Sequence, residues 1–136
     1  MQVALRERVT RTRIGDDPVG FHNYLLSKMR GLRTERLIAF FCDGNGYLIS
    51  EERLADGMES AISVSTRRLF TRALALDAKS VLLAHNHPSG SAEPSEQDIK
   101  NTRLFGLLAR EVDIALDDHF VVGRHEVVSM KGRGLL

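Results

Sequence analysis

The sequence predicts an α/β fold, a mixed β-sheet with helices against it, on three observations. Two apolar runs, Leu37-Ile38-Ala39-Phe40-Phe41 and Val81-Leu82-Leu83-Ala84, have the length and composition of buried strands. Between and after them lie stretches whose apolar residues recur at helical spacing. Gly, Pro, Asn and Asp clusters separate the two kinds of segment. At 136 residues the chain can bury one core, and nothing in it suggests a second. The expected organisation is a charged lead-in over residues 1–18 and one domain over 19–136.

The elements follow in order. The lead-in holds a possible edge strand from Val3 to Val9, where a second copy could pair, and ends at Gly15-Asp16-Asp17-Pro18. Phe21, Tyr24, Leu25 and Met29 are spaced for an amphipathic helix that Gly31 ends. Strands at 35–42 and 47–55 are joined by Gly44-Asn45-Gly46, a hairpin signal. A second helix over 66–77 carries Leu69, Phe70, Ala73, Leu74 and Leu76, and leads into the strand from Ser80. A third spans 95–110, with Ile99, Leu104, Leu107 and Leu108 at helical spacing. Val112 to Leu116, His119 to Val122 and Glu126 to Met130 read as two or three more strands. No repeat or low-complexity tract interrupts this order.

Composition narrows the function. The single cysteine, Cys42, excludes an internal disulfide framework and a Cys-x-x-Cys zinc site, and reads as a strand-end residue without a chemical role. Nucleobase deaminases, which use His-x-Glu and Pro-Cys-x-x-Cys, are excluded as well. No apolar stretch is long enough to span a bilayer and no leader precedes the domain, so no membrane role and a cytoplasmic location are expected. Net charge is +1 but uneven: residues 1–36 carry +4 and the remainder −3. Such a basic arm is compatible with nucleic acid, yet it has no aromatic interleaving and no recognisable binding motif, which favours a solvated arm.

The chemistry is concentrated between His85 and Asp98. His85 and His87 lie two apart at the end of a strand, so both rings project on one face if the strand persists. Pro88, Ser89 and Gly90 break the strand, and Pro94-Ser95 opens a helix whose first turn holds Asp98. His-x-His alone is weak evidence, and Ser95-x-x-Asp98 is also a good capping pair. Together they make a His, His, Asp set of the kind that binds Zn²⁺ and leaves its fourth position open for catalysis.

His-x-His-Pro, six residues, then Ser-x-x-Asp resembles the JAMM motif of the JAB/MPN+ metalloproteases. The form Ala84-His85-Asn86-His87-Pro88-Ser89-Gly90 with Pro94-Ser95 and Asp98 looks like the RadC branch, and the likeness runs from about Thr12 to the C-terminus. The resemblance implies the JAB/MPN fold, a three-layer arrangement related to cytidine deaminases, with the metal loop at the sheet's edge. It also implies a glutamate ahead of a strand, which here matches Glu35; Glu51 and Glu52 compete but read as strand-end charges. Zinc held by His85, His87 and Asp98 would acidify its water toward about pH 7 and polarise an amide carbonyl. Glu35 would move the proton, and Ser95 would donate to the oxyanion, a contact worth on the order of 2–4 kcal/mol.

His119, in Asp118-His119-Phe120, matches a family position as a partner of a ligand, and is as easily a buried hydrogen-bonded histidine. Arg67 and Arg68 are either substrate-facing or solvated, and Thr66 stands where the family often has Pro. His22 and His125 receive no role. The expected activity is zinc-dependent hydrolysis of a peptide or isopeptide bond in a protein or peptide substrate. The alternatives are a non-catalytic MPN scaffold or a DNA-repair accessory protein. RadC-like proteins usually carry a helix-hairpin-helix segment before this domain, and the expectation is that this chain has too little length to hold it.

Overall fold

The computed structural model describes residues 12–56 and 61–136. The strand expected at residues 3–9 lies outside the described residues. A 3-10 turn at Ile14–Asp16 leads into α1 (Pro18–Met29), followed by β1 (Arg36–Cys42), β2 (Leu48–Asp56) and α2 (Ala61–Ala75). Then come β3 (Ser80–Asn86), α3 (Glu96–Glu111), β4 (Ala115–Val122) and β5 (Val127–Ser129). The strands form one sheet in the order β2-β1-β3-β4-β5, parallel only between β3 and β4. Among the described residues no helix is long and apolar enough to cross a membrane.

Strand alternation sorts the core into two clusters, one on each side of the sheet. Phe21, Leu25 and Met29 of α1 pack with Ile38, Phe40, Ala84 and Phe120. Leu69 and Ala73 of α2 and Phe105 and Ala109 of α3 pack with Leu37, Ala39, Phe41, Val81 and Leu83. The result is the expected α/β arrangement of three layers. Because β1 and β3 are covered on both faces, almost every residue in them is buried, which is why they read as unbroken apolar runs.

Local chemistry sets the element ends. The Asp17 carboxylate accepts from Gly20 N–H at 2.9 Å with Pro18 at the first helical position, so α1 starts there. The β1–β2 hairpin is held by Asp43, whose Oδ1 accepts from Asn45 N–H and Tyr47 N–H, with Gly46 at φ 86°. Cys42 ends β1 in the core, and burial pushes its thiol up to about 11, so little thiolate forms at neutral pH.

Two boundaries differ from the expectation. The second helix begins at Ala61 rather than 66, through Ser63, Val64, Ser65 and Thr66, whose weak helix propensity masks it. Val112 to Ile114 is not a strand. Asp113 sits at φ 59°, its N–H bonds Arg110 O, and Ile114 N–H bonds Ala109 O, the double closure of a Schellman motif. Ile114 is apolar because it returns to the core beside Ala109. α2 ends the same way, with Asp77 at φ 52° and Ala78 N–H on Ala73 O. Asp takes the place where glycine is the usual signal at both ends, which fall at Ala75 and Glu111, close to the expected 77 and 110.

The metal loop does not lie at the sheet's edge as expected. It leaves the C-terminal end of β3, the middle strand, in the β3-α3-β4 unit, which is where open α/β sheets gather ligands. The loop rests on the turn after β4: His87 N–H bonds Val122 O and Arg124 N–H bonds Gly90 O. A Cβ on Gly123 would stand 2.6 Å from Gly90 O and 2.8 Å from Ala92 N. Both are backbone atoms, so any side chain there must displace the loop. Gly123→Ala is therefore expected to cost about 1–3 kcal/mol of stability in urea unfolding; an unchanged midpoint would show that the contact is slack.

Candidate metal centre

β3 delivers the first histidine to the interior. His85 is fully buried, on the face shared with Leu83 and Val81. His87 follows the strand's last residue and is part-exposed. Its Nδ1 donates to Ser91 O at 3.1 Å, which in the neutral ring leaves Nε2 as a lone pair turned inward. The two Nε2 atoms are 3.1 Å apart.

Asp98 arrives from the start of α3. Ser95 and Asp98 form a complete capping box, Asp98 N–H on Ser95 Oγ and Ser95 N–H on Asp98 Oδ2, each 2.9 Å. The same Oδ2 lies 3.3 Å from His85 Nε2 and 3.1 Å from His87 Nε2. The structural and the metal-binding interpretations of this pair are thus both satisfied by one geometry: the cap aims the carboxylate. Ligands about 2.0–2.1 Å from a tetrahedral zinc stand about 3.3–3.4 Å from one another. The three donor atoms are already spaced within a few tenths of an ångström of that, so the residues fit the ion.

Glu35 joins them through strand pairing. Leu37 of β1 is opposite His85 in antiparallel register, and continuing that register sets residue 35 opposite residue 87. Glu35 Oε1 is 3.7 Å from His85 Nε2, and one donor atom from each of Glu35, His85, His87 and Asp98 lies within 4.8 Å of all the others. The chain entering β1 at Glu35 is held by Asn86: Oδ1 accepts from Arg36 N–H at 2.8 Å and Nδ2 donates to Thr34 O at 3.1 Å. The residue between the two histidines therefore grips the backbone on both sides of the glutamate.

Charge is crowded here. Burial raises the Glu35 carboxyl above its usual range, His85 opposes the rise, and Asp98 adds to it. For Asp98 burial acts upward too, but the His85 and His87 rings set against its carboxylate override it and hold the acid well below the usual range. The hydrogen bond to Asp98 raises His87.

The competing glutamates are elsewhere. Glu51 is bound by Tyr24 and Lys28 of α1, and Glu52 is clasped by Arg72 of α2 at 2.6 and 2.9 Å. Ser95 is exposed; its Oγ accepts from Asp98 N–H and keeps its own O–H to donate. Arg68 bonds Leu54 O, tying α2 to β2, and Arg67 is exposed. His22 lies edge-on to Phe120, and His125 is exposed in the bend between β4 and β5. His119 is fully buried, with Nε2 2.7 Å from His85 Nδ1. Sequence reasoning missed Asn86, whose only signal is its place between the histidines. It also missed Thr102, one helical turn after Asp98 on α3.

A family model described as a RadC-like JAB domain matches residues 16–135. A UPF0758 protein of Leptothrix cholodnii is 39% identical over 133 residues, covering 98% of this chain and 60% of that protein. One from Stenotrophomonas maltophilia is 41% identical over 123 residues, 90% of this chain and 53% of its own length. One from Vibrio vulnificus is 43% identical over 111 residues, 82% and 50% respectively. The chain thus spans between half and three-fifths of the length of these relatives.

The raised His87 sets a pH dependence. A histidine ligand must be neutral, so below that raised value, itself above the ordinary histidine value of about 6.5, an entering ion must displace a proton. Zinc affinity is expected to be flat above the raised His87 value and to fall as pH drops below it, by about tenfold per unit for one proton. Chelator competition between about pH 6 and pH 8.5 measures this, and a pH-independent affinity would remove His87 from the ligand set.

Proposed function

The chain belongs to the RadC-like JAB domain family, and from that premise we propose that it is a zinc-dependent hydrolase of amide bonds, acting on a peptide or isopeptide bond of a protein or peptide substrate. The observation that carries this reading is the convergence of Glu35, His85, His87 and Asp98, with three donor atoms at tetrahedral spacing. His85, His87 and Asp98 would hold Zn²⁺; bound there, the ion supplies Lewis acidity that activates water and polarises a carbonyl.

The remaining work falls to the chain's own side chains. Glu35 takes a proton from the water as its oxygen attacks the carbonyl carbon, and returns it to the amine as the C–N bond breaks. A carboxyl raised by burial suits both halves of that task, because it binds and releases a proton closer to neutral pH. Asn86 keeps Glu35 from swinging away by bonding the peptide groups on either side of it. Ser95 donates its free O–H to the oxyanion of the tetrahedral intermediate. Its own cap bond to Asp98 N–H fixes where that hydroxyl sits. Retention of all four converging groups sets this reading above that of a non-catalytic scaffold.

The test is Glu35→Gln in zinc-loaded protein, assayed against blocked peptide amides and isopeptide-linked conjugates. Zinc content is expected to stay at the wild-type value while turnover falls by about 10²–10⁴-fold, the usual size of a lost general base. A glutamine variant that cleaves as fast as wild type would discard the assignment of Glu35.

A further inference from the structure

Fully buried His119 has no task in the proposed hydrolysis, yet it touches a proposed ligand. It stands opposite Leu83 in the parallel β3–β4 register, so its ring lies on the sheet face that carries His85. His119 Nε2 is 2.7 Å from His85 Nδ1, and its Nδ1 is 2.8 Å from Thr102 Oγ1. Thr102 is also fully buried, and its Oγ1 is 2.6 Å from the main-chain oxygen of Asp98. The contacts form a circuit that starts at one proposed ligand on β3, crosses β4, and returns through α3 to the residue that supplies another.

Proton bookkeeping gives this circuit a direction. The Asp98 carbonyl only accepts, so Thr102 donates its single proton there. Toward His119 the hydroxyl can then only accept, so His119 Nδ1 carries a proton. His119 is fully buried and the polar partners of its ring are an imidazole and a hydroxyl, neither of them an anion, so the ring is neutral and has one N–H. Its Nε2 is therefore a lone pair, and His85 Nδ1 must be the donor. That leaves His85 Nε2 bare, pointing at His87 Nε2 and Asp98 Oδ2.

We propose that Thr102 and His119 are positioning residues of the metal centre, holding His85 in the tautomer that presents Nε2 to the ion. The inference rests on the metal-binding reading of the site and extends it to two residues that touch no ion. Such outer partners of ligating histidines change metal affinity by about 10–100-fold when removed.

The experiment compares full-length wild type, Thr102→Val and Thr102→Ser for zinc affinity by competition with a chromophoric chelator, with folding checked by circular dichroism. Imidazole ¹⁵N shifts of His85 are recorded in the zinc-free proteins. Valine keeps the shape and removes the hydroxyl; serine keeps the hydroxyl. We expect valine to weaken zinc by about 10–100-fold and serine to restore most of it, with wild-type His85 protonated at Nδ1. A folded valine variant that binds zinc as wild type does, or valine and serine variants weakened equally, would overturn the proposal. If the valine variant does not fold, the wild-type spectrum decides: Nδ1–H on His85 supports it and Nε2–H overturns it. Wild type that binds no zinc would refute the metal reading, while the His85 tautomer would still judge the circuit separately.

Discussion

The register of β3 against its two neighbours is the constraint on which the site depends. Leu37 opposite His85 brings Glu35 level with His87, and Leu83 opposite His119 sets that ring beside His85. Strand side chains alternate, so a slip of one residue in either ladder would turn Glu35 or His119 to the other face of the sheet. Register in turn is fixed by burial on both faces. Ile38, Phe40 and Ala84 must meet α1, while Leu37, Ala39, Phe41, Val81 and Leu83 must meet α2 and α3. The two core clusters therefore do more than stabilise the domain: they hold the chemical groups in step.

The second support is the start of α3, where capping and site geometry are one arrangement. A capping box needs a hydroxyl and a carboxylate three residues apart, and Ser95 and Asp98 supply them. With Oδ2 held by Ser95 N–H, the carboxylate has little freedom and meets both imidazoles. Burial raises the Glu35 carboxyl, and the nearby Asp98 carboxylate adds to the rise. Two carboxylates and two imidazole lone pairs crowded at the end of a buried strand are an unfavourable set in isolation. A divalent cation between them relieves it.

Much of this was legible in the residues. Runs such as Leu37 to Phe41 announce strands covered on both faces, Asp17-Pro18 and Gly31 bracket α1, and Gly44-Asn45-Gly46 marks the hairpin. His85, His87 and Asp98 stand out because their residue types and the breakers between them allow few other uses. What was not legible is what depends on distant partners. Asp113 stops α3 in a left-handed conformation that glycine would have advertised, so Val112 and Ile114 read as a strand. Strand order is not written locally, so the loop's place at the end of the middle strand could not be told from a place at the edge. Asn86 and Thr102 are ordinary polar residues until the fold shows Asn86 gripping Thr34 and Arg36, and Thr102 between His119 and Asp98.

The most direct test of the central claim is metal stoichiometry. Untagged protein purified without chelator and equilibrated with zinc would be analysed by mass spectrometry beside Asp98→Ala. The account predicts about one zinc per wild-type chain, in keeping with a single three-ligand site, and its loss in the variant. No bound zinc in the wild type, or the same amount in both proteins, would contradict it.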